Sequence, residues 1–425
     1  MFKKILSTLG SKILGATLSF LLIWVTTRFL TTADRGIISL FTANLTLIIM
    51  IFNILGGSGL VYLASRKNTF QLIGIAAVWS VFTSGFGTFI LYFLGQTFTS
   101  HHFGLPFSFY PHLFFITFIY SFVALGTVIC LGKEKIYQLN WLTLLPLILN
   151  SLVFCTFVVI FNSRDVFFYL YSLYAAYGIS AVLSIYFLSK TIHQSSTEKW
   201  SAVFISQFKY GFNAQISNII QFFNYRFSYF VIDYYTGKSS LGLYSVAMSI
   251  SEAILMIASS MALVQYGRLV NNSDEKYAIR ITNLLLKVSF LLTLVAVICV
   301  YFVPADLFVW IFKKEYFAIK PIVFILTIGI VFLSVSVIFA HYFGGKAMYK
   351  INTIGTSLSF AITIAGNLCF VPQFGIEGAA WVAVVAYFVL VLYQTLKYLQ
   401  ITNQSITFVL PSEQELILIR RIFSK

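Results

Sequence analysis

Arg226 stands in NIIQFFNYRFSYFVID, residues 218–233, a stretch otherwise apolar enough to cross a bilayer. A guanidinium has few chemical uses in such a setting: it pairs with a carboxylate, or its parallel N–H donors grip the oxygens of an anionic ligand. Left unpaired at mid-bilayer it costs roughly 2.5–3.5 kcal/mol even on the lenient insertion scale. Wound at about 100° per residue, residues 212–233 divide into two arcs. Phe212, Ile216, Ile219, Ile220, Phe223, Phe227 and Phe230 share one side. Asn213, Gln215, Ser217, Asn218, Gln221, Asn224, Tyr225, Arg226, Ser228, Tyr229 and Asp233 occupy the other. A continuous polar arc in lipid must face protein or water, so the arginine is expected in a hydrated cavity, roughly 22 Å from the cytoplasmic end of its helix.

A carboxylate lies at matching depth. Glu252 shares a stripe at helical spacing with Ser245, Ser249 and Ser259, and the rise per residue places it within about 8 Å of Arg226 in depth. The two form either a structural ion pair or a working one, in which Arg226 neutralises an anionic head group and Glu252 titrates in ion or proton coupling. The first span repeats the theme with Lys12, Gly15, Ser19 and Thr26 on one face. The candidate binding set is therefore Arg226, Asn218, Gln221, Tyr225, Ser228, Tyr229 and Lys12, with Glu252 and Asp233 as coupling candidates.

The elements that must hold these residues follow from composition. Of 425 residues, 59% are hydrophobic and 10% charged, a balance outside that of soluble globular domains. A hydrocarbon core of about 30 Å needs about 20 apolar residues per helix, and that rule gives about 12 spans. They run approximately over 11–30, 37–56, 71–95, 109–131, 141–161, 166–189, 211–234, 241–265, 283–303, 319–343, 351–371 and 376–399. The expectation is an all-α polytopic membrane protein with six-helix bundles over 1–200 and 201–399 and a cytoplasmic tail over 400–425. The basic, apolar start is expected to be a first anchor and not a cleaved signal peptide.

Lys and Arg concentrate in alternate loops, which places both termini in the cytoplasm, as in a bacterial inner membrane. The net charge of +15 follows from the same bias, since anionic lipid attracts basic loops. No continuous basic face is present for nucleic acid.

The chain repeats itself. RGIISL at 35–40 aligns with LGLYSV at 241–246, PHLFFIT at 111–117 with PIVFILT at 321–327, and GKEKIYQLN at 132–140 with GGKAMYKIN at 344–352. The offset drifts slowly in one direction, as loop insertions would make it. Each unit has an even number of spans, so the bundles enter the membrane in the same sense and relate by a pseudo-two-fold axis along its normal. Transporters place a site between two such lobes.

Other chemistries lack their motifs. No GxxxxGK[ST] stretch offers a phosphate cradle, so energy must come from a gradient or from the substrate. HExxH and GxSxG are absent, and no cofactor is expected. His101, His102 and His112 are too loosely spaced for zinc, and the four cysteines fall inside spans as small apolar residues. A membrane-embedded glycosyltransferase or polymerase would carry a large outer loop with catalytic residues, and none is present.

FVPADLFVWIFKKEYFAIKPIVFIL at 302–326, FVPQFGIEGAAWVAVVAY at 370–387, RFLTTADRGIISL and YYTGKSSLGLYSVAMSISE resemble the turns of the O-antigen flippases, within the multidrug/oligosaccharidyl-lipid/polysaccharide exporter superfamily. The resemblance spans nearly the whole chain. It implies a Wzx-type flippase that moves undecaprenyl-pyrophosphate-linked oligosaccharide units to the periplasmic leaflet by alternating access. It also implies a cavity lined by helices one, two, seven and eight, H+ or Na+ as the coupling ion, and membrane lipids and polysaccharide-assembly proteins as partners. Two positions depart from the pattern: Ser228 stands where relatives often carry Asp, and Lys313 replaces a loop glycine. The nearest rival is a cation-coupled drug or metabolite antiporter of the same superfamily, which would favour an acidic cavity.

Overall fold

The computed structural model describes residues 2–64, 67–97, 104–133, 135–162, 164–191, 199–270, 274–346 and 348–405, without the side chains of 2–13, 58, 213, 214, 217 and 270. The side chains of Lys12, Asn213 and Ser217 thus lie outside the described residues, as do His101, His102 and the tail from 406 onward.

Among the described residues there is no strand. The helices are α1 (Phe2–Phe29), α2 (Thr32–Gly56), α3 (Ser58–Leu63), α4 (Thr69–Thr97), α5 (Phe109–Gly132), α6 (Ile136–Val159), α7 (Val166–Ser189), α8 (Trp200–Val270), α9 (Glu275–Tyr301), α10 (Ala305–Ile311), α11 (Ile319–Gly345) and α12 (Tyr349–Thr402). Their starts follow local chemistry. Thr31 and Asp34 form a capping box on α2, Asp165 accepts the Phe167 N–H at 2.9 Å to open α7, and Asp274 accepts that of Lys276 at 2.9 Å to open α9. Each satisfies a donor that the first helical turn leaves unpaired.

Nine helices among the described residues are long and apolar enough to cross a membrane. Two of them are too long for one crossing. At 1.5 Å per residue the 71 residues of α8 would extend about 105 Å, several times the hydrocarbon thickness. Both break at a glycine in the left-handed half of backbone space: Gly237 with φ 81° and ψ 177°, Gly375 with φ 57° and ψ −136°. There the chain turns back. A straight α8 could not bring Arg226 against a side chain 26 residues further on, and a Cβ on Gly366 would meet Val382 across the α12 turn. With α8 and α12 each crossing twice and α1 added, the protein is an all-α, multi-pass membrane protein of about 12 spans.

Two compact units divide the chain, one of Met1–Phe222, Tyr229–Leu243 and Ile311–Lys313, the other of Phe223–Ser228, Tyr244–Trp310 and Lys314–Lys425. In the first, Phe52, Leu60, Leu72, Leu125, Ile129 and Val203 form a core under α2, α3, α4, α5 and the start of α8. Gln207 of α8 reaches back to the Leu55 carbonyl. Two glycines singled out by the repeat meet here. A Cβ on Gly36 would strike the Lys238 carbonyl, and one on Gly242 would strike that of Thr32. Only residues without a side chain allow the two backbones to cross so closely.

Lys313, which stands where the resembling sequences carry glycine, has φ 151°. A lysine is strained there, and its Nζ donates to the Leu30 carbonyl at 3.2 Å within the first unit. In the second unit Ala262, Ile281, Ile338, Phe339, Phe343 and Tyr398 make the core of α9, α11 and the later limbs of α8 and α12.

Candidate functional site

The site grows from the first limb of α8, ahead of Gly237. Phe223–Ser228 belongs to the second unit, anchored there by Asn224. Its Oδ1 accepts hydroxyls from Thr363 at 2.8 Å and Ser359 at 3.2 Å, while its Nδ2 donates to Ser359 Oγ at 2.9 Å. Phe223 and Phe227 flank this clamp, both on Phe360 at 5.8 and 6.0 Å between ring centroids. The polar arc is thus not uniformly wet: Asn224 is buried and serves helix packing.

Two residues on, Arg226 turns to the other limb of its own helix. Nη1 donates to Glu252 Oε1 at 2.8 Å and Nη2 to Oε2 at 3.0 Å, the parallel two-point geometry that matches a planar guanidinium to a carboxylate. Neither group is sealed, with 26% of the Arg226 side chain and 30% of that of Glu252 exposed. Tyr225 lies edge-on to Tyr387 of α12 at 6.0 Å, and Tyr387 feels the charges of Glu252 and Arg226 as well as the phenols of Tyr225 and Tyr244.

The remaining sequence candidates divide. Gln221 is half-buried and Asn218 exposed, with Asn218 donating to Gln215 at 2.7 Å one turn earlier. Ser228 and Tyr229 are buried. Asp233 is 1% exposed, and in the first unit it accepts the Gly104 N–H at 2.9 Å and the Lys238 ammonium at 3.0 Å. That carboxylate ties the segment ahead of α5 to the α8 break. On the Glu252 stripe, Ser245 is buried and Ser259 exposed. The polar face expected of α1 has Ser19 exposed but Thr26 fully buried, donating to its own helix backbone at 2.8 Å. Among the described residues no cluster of His, Cys, Asp or Glu could hold a metal ion.

Two features escape a reading of α8 alone, the Ser359–Thr363 receptor for Asn224 and the Tyr387 hydroxyl. Ser359 and Thr363 stand four apart and so on one helix face, a pattern visible in TSLSFAIT. Tyr387 follows Ala379, Ala380, Ala383 and Ala386, all buried, small residues that mark a face of close helix approach.

No protein-family model matches the sequence, and no curated protein matches it. Solved structures do. The chain is similar to a lipid II flippase, MurJ, in an inward closed conformation, at 15% identity and TM-score 0.74 over 100% of this chain and 93% of that one. It is similar to a multidrug resistance MATE family transporter of the MOP superfamily in an inward-facing conformation, at 14% identity and TM-score 0.71 over 91% and 94% of the two chains. A third likeness is to a MOP superfamily transporter from Pyrococcus furiosus, described as having a binding pocket of reverse polarity, at 14% identity and TM-score 0.52 over 95% and 94%. At these identities the likeness carries the fold: the chain is a multi-pass helical membrane protein built as the MOP-superfamily transporters and flippases are.

Proposed function

We propose that the protein is a Wzx-type flippase of that superfamily, moving undecaprenyl-pyrophosphate-linked oligosaccharides from the cytoplasmic to the periplasmic leaflet of a bacterial inner membrane by alternating access. The observation that carries the reading is the partly exposed, two-point Arg226–Glu252 pair within a membrane span. A guanidinium already shaped around two oxygens suits a pyrophosphate, and the tyrosines and amides near it suit hydroxyl-rich sugars. Glu252 then answers for coupling: once the ligand takes the arginine, the released carboxylate is free to bind H+ or Na+. Asp233 is assigned by this reading to holding the α8 break, with any coupling role secondary to that of Glu252.

Deletion of the protein should make lipid-linked repeat units accumulate on the cytoplasmic leaflet. Arg226→Ala should reproduce the block when flux is normalised to the amount of protein in the membrane, and Arg226→Lys should restore part of the flux, since it keeps the charge but loses the fork. Glu252→Gln should weaken transport without reducing membrane levels; full activity of that variant refutes the coupling role.

A drug or metabolite antiporter is the second reading, favoured by the same carboxylate among Tyr225, Tyr244 and Tyr387, a setting that also suits an organic cation. The two part in one assay. Glu252→Gln should leave resistance to cationic drugs unchanged if the substrate is the lipid-linked anion, and abolish it if the substrate is the cation.

A further inference from the structure

Among the described residues, the Tyr387 hydroxyl is buried with no hydrogen-bond partner, on a side chain that is 1% exposed. Its ring is held from two sides. Tyr225 lies edge-on at 6.0 Å, and Gly329 of α11 passes so near that a Cβ there would stand 3.1 Å from the ring. Phenylalanine would fill this space without burying an unsatisfied donor and acceptor, so the oxygen calls for a use beyond packing.

Its surroundings indicate one. From the first limb of α8 come Arg226 and Tyr225, from the second Glu252 and Tyr244, and all four act electrostatically on Tyr387. In the present arrangement both oxygens of Glu252 are occupied by the Arg226 fork. An anion that takes this fork strips the carboxylate of both donors and leaves a charge partly out of water, facing the charge of the ligand. The free hydroxyl supplies the missing donor.

We propose that Tyr387 is the positioning residue of this site. Its phenol O–H donates to the Glu252 oxygen released when an anionic phosphate ligand occupies Arg226, and so holds the carboxylate clear of the incoming charge. The proposal rests on the anion-recognition reading above and adds to it a resting state and an occupied state with different partners for Glu252.

The test uses the full chain purified in detergent, inorganic pyrophosphate as the probe, and two measurements on each variant: calorimetric affinity and thermal melting. Tyr387→Phe should melt above the parent because an unsatisfied buried hydroxyl is gone, yet bind pyrophosphate about tenfold more weakly, the equivalent of about 1.4 kcal/mol. In a Glu252→Ala background the same substitution should leave affinity unchanged, because the hydroxyl has no carboxylate to receive. Higher melting with undiminished affinity, in a protein whose binding Arg226→Ala abolishes, would overturn the positioning role alone. A parent chain that fails to bind pyrophosphate, or an Arg226→Ala variant that binds as well, sinks the anion reading and this inference with it.

Discussion

A guanidinium and a carboxylate joined at 2.8 and 3.0 Å stabilise one another, but they also block each other's use. Removing one partner of a buried pair costs about 3–5 kcal/mol, while replacing both by apolar groups of similar volume is often neutral. Here the two side chains keep 26% and 30% of their exposure, so water relieves part of the orphaned charge and the loss should sit at or below the low end of that range. Melting in detergent should therefore rank Arg226→Met and Glu252→Leu singly below the double variant, with the double close to the parent. Transport should rank otherwise: all three inactive. A double variant as active as the parent would make the pair scaffolding. The depth calculation that sets Glu252 beside Arg226 uses only the rise of a helix, whereas the fate of Asn224 needs its partners on α12, 135 and 139 residues away. On a helical wheel a clamp and a ligand contact look alike, which is why a polar arc predicts exposure for both. Asp233 is the same case, its donor Gly104 lying 129 residues before it.

At the scale of elements, glycine decides where the chain turns and how closely limbs cross. YYTGKSS, with its polar run amid apolar sequence, marks the Gly237 turn, and FGIEG marks that at Gly375. The crossing of α2 over the beginning of the second α8 limb is harder to foresee. RGIISL and LGLYSV reveal a matched glycine in each repeat, but not that Gly36 faces the Lys238 carbonyl while Gly242 faces that of Thr32. A methyl group at either position meets backbone, which cannot step aside as a side chain can. Gly36→Ala and Gly242→Ala should each abolish folded protein, read as loss of a monodisperse peak in fluorescence-detected size exclusion. Gly178→Ala and Gly267→Ala provide the contrast. Both lie in helices with open space where the added methyl group would stand, and the gain in helix propensity should raise stability by up to about 1 kcal/mol each. If all four variants behave alike, the close crossing is not what fixes this region.

For the whole molecule, the repeat and the charge pattern answer different questions. Thr117 and Thr327, matched by PHLFFIT and PIVFILT, are both fully buried and donate to carbonyls of their own helices, Thr117 to those of Leu113 at 2.7 Å and Phe114 at 3.0 Å and Thr327 to that of Phe324 at 2.8 Å, so each unit satisfies the matched hydroxyl within its own helix. Repetition says nothing of which side faces the cytoplasm; the basic residues carry an expectation of it. The span order expected from the sequence puts Lys67, Lys133, Lys135, Lys190 and Lys199 on the side of the N-terminus, with Arg28, Arg35, Arg164, Lys238, Lys313, Lys314 and Lys320 opposite. Translocating an ammonium or guanidinium is unfavourable, so the richer side is expected to stay inside. Alkaline phosphatase, active only after export, should be active when fused after Phe161 or Tyr235 and inactive after Lys190 or Lys346. Moving charge should move topology: replacing Lys133 and Lys135 by Ser while adding Lys beside Arg164 should lower the contrast between the first two fusions on either side of α7. Equal phosphatase activity at all four positions of the unaltered chain would remove the orientation on which a cytoplasm-to-periplasm direction depends, because an Arg226 that opens first to the other leaflet would meet its ligand only after the ligand had crossed.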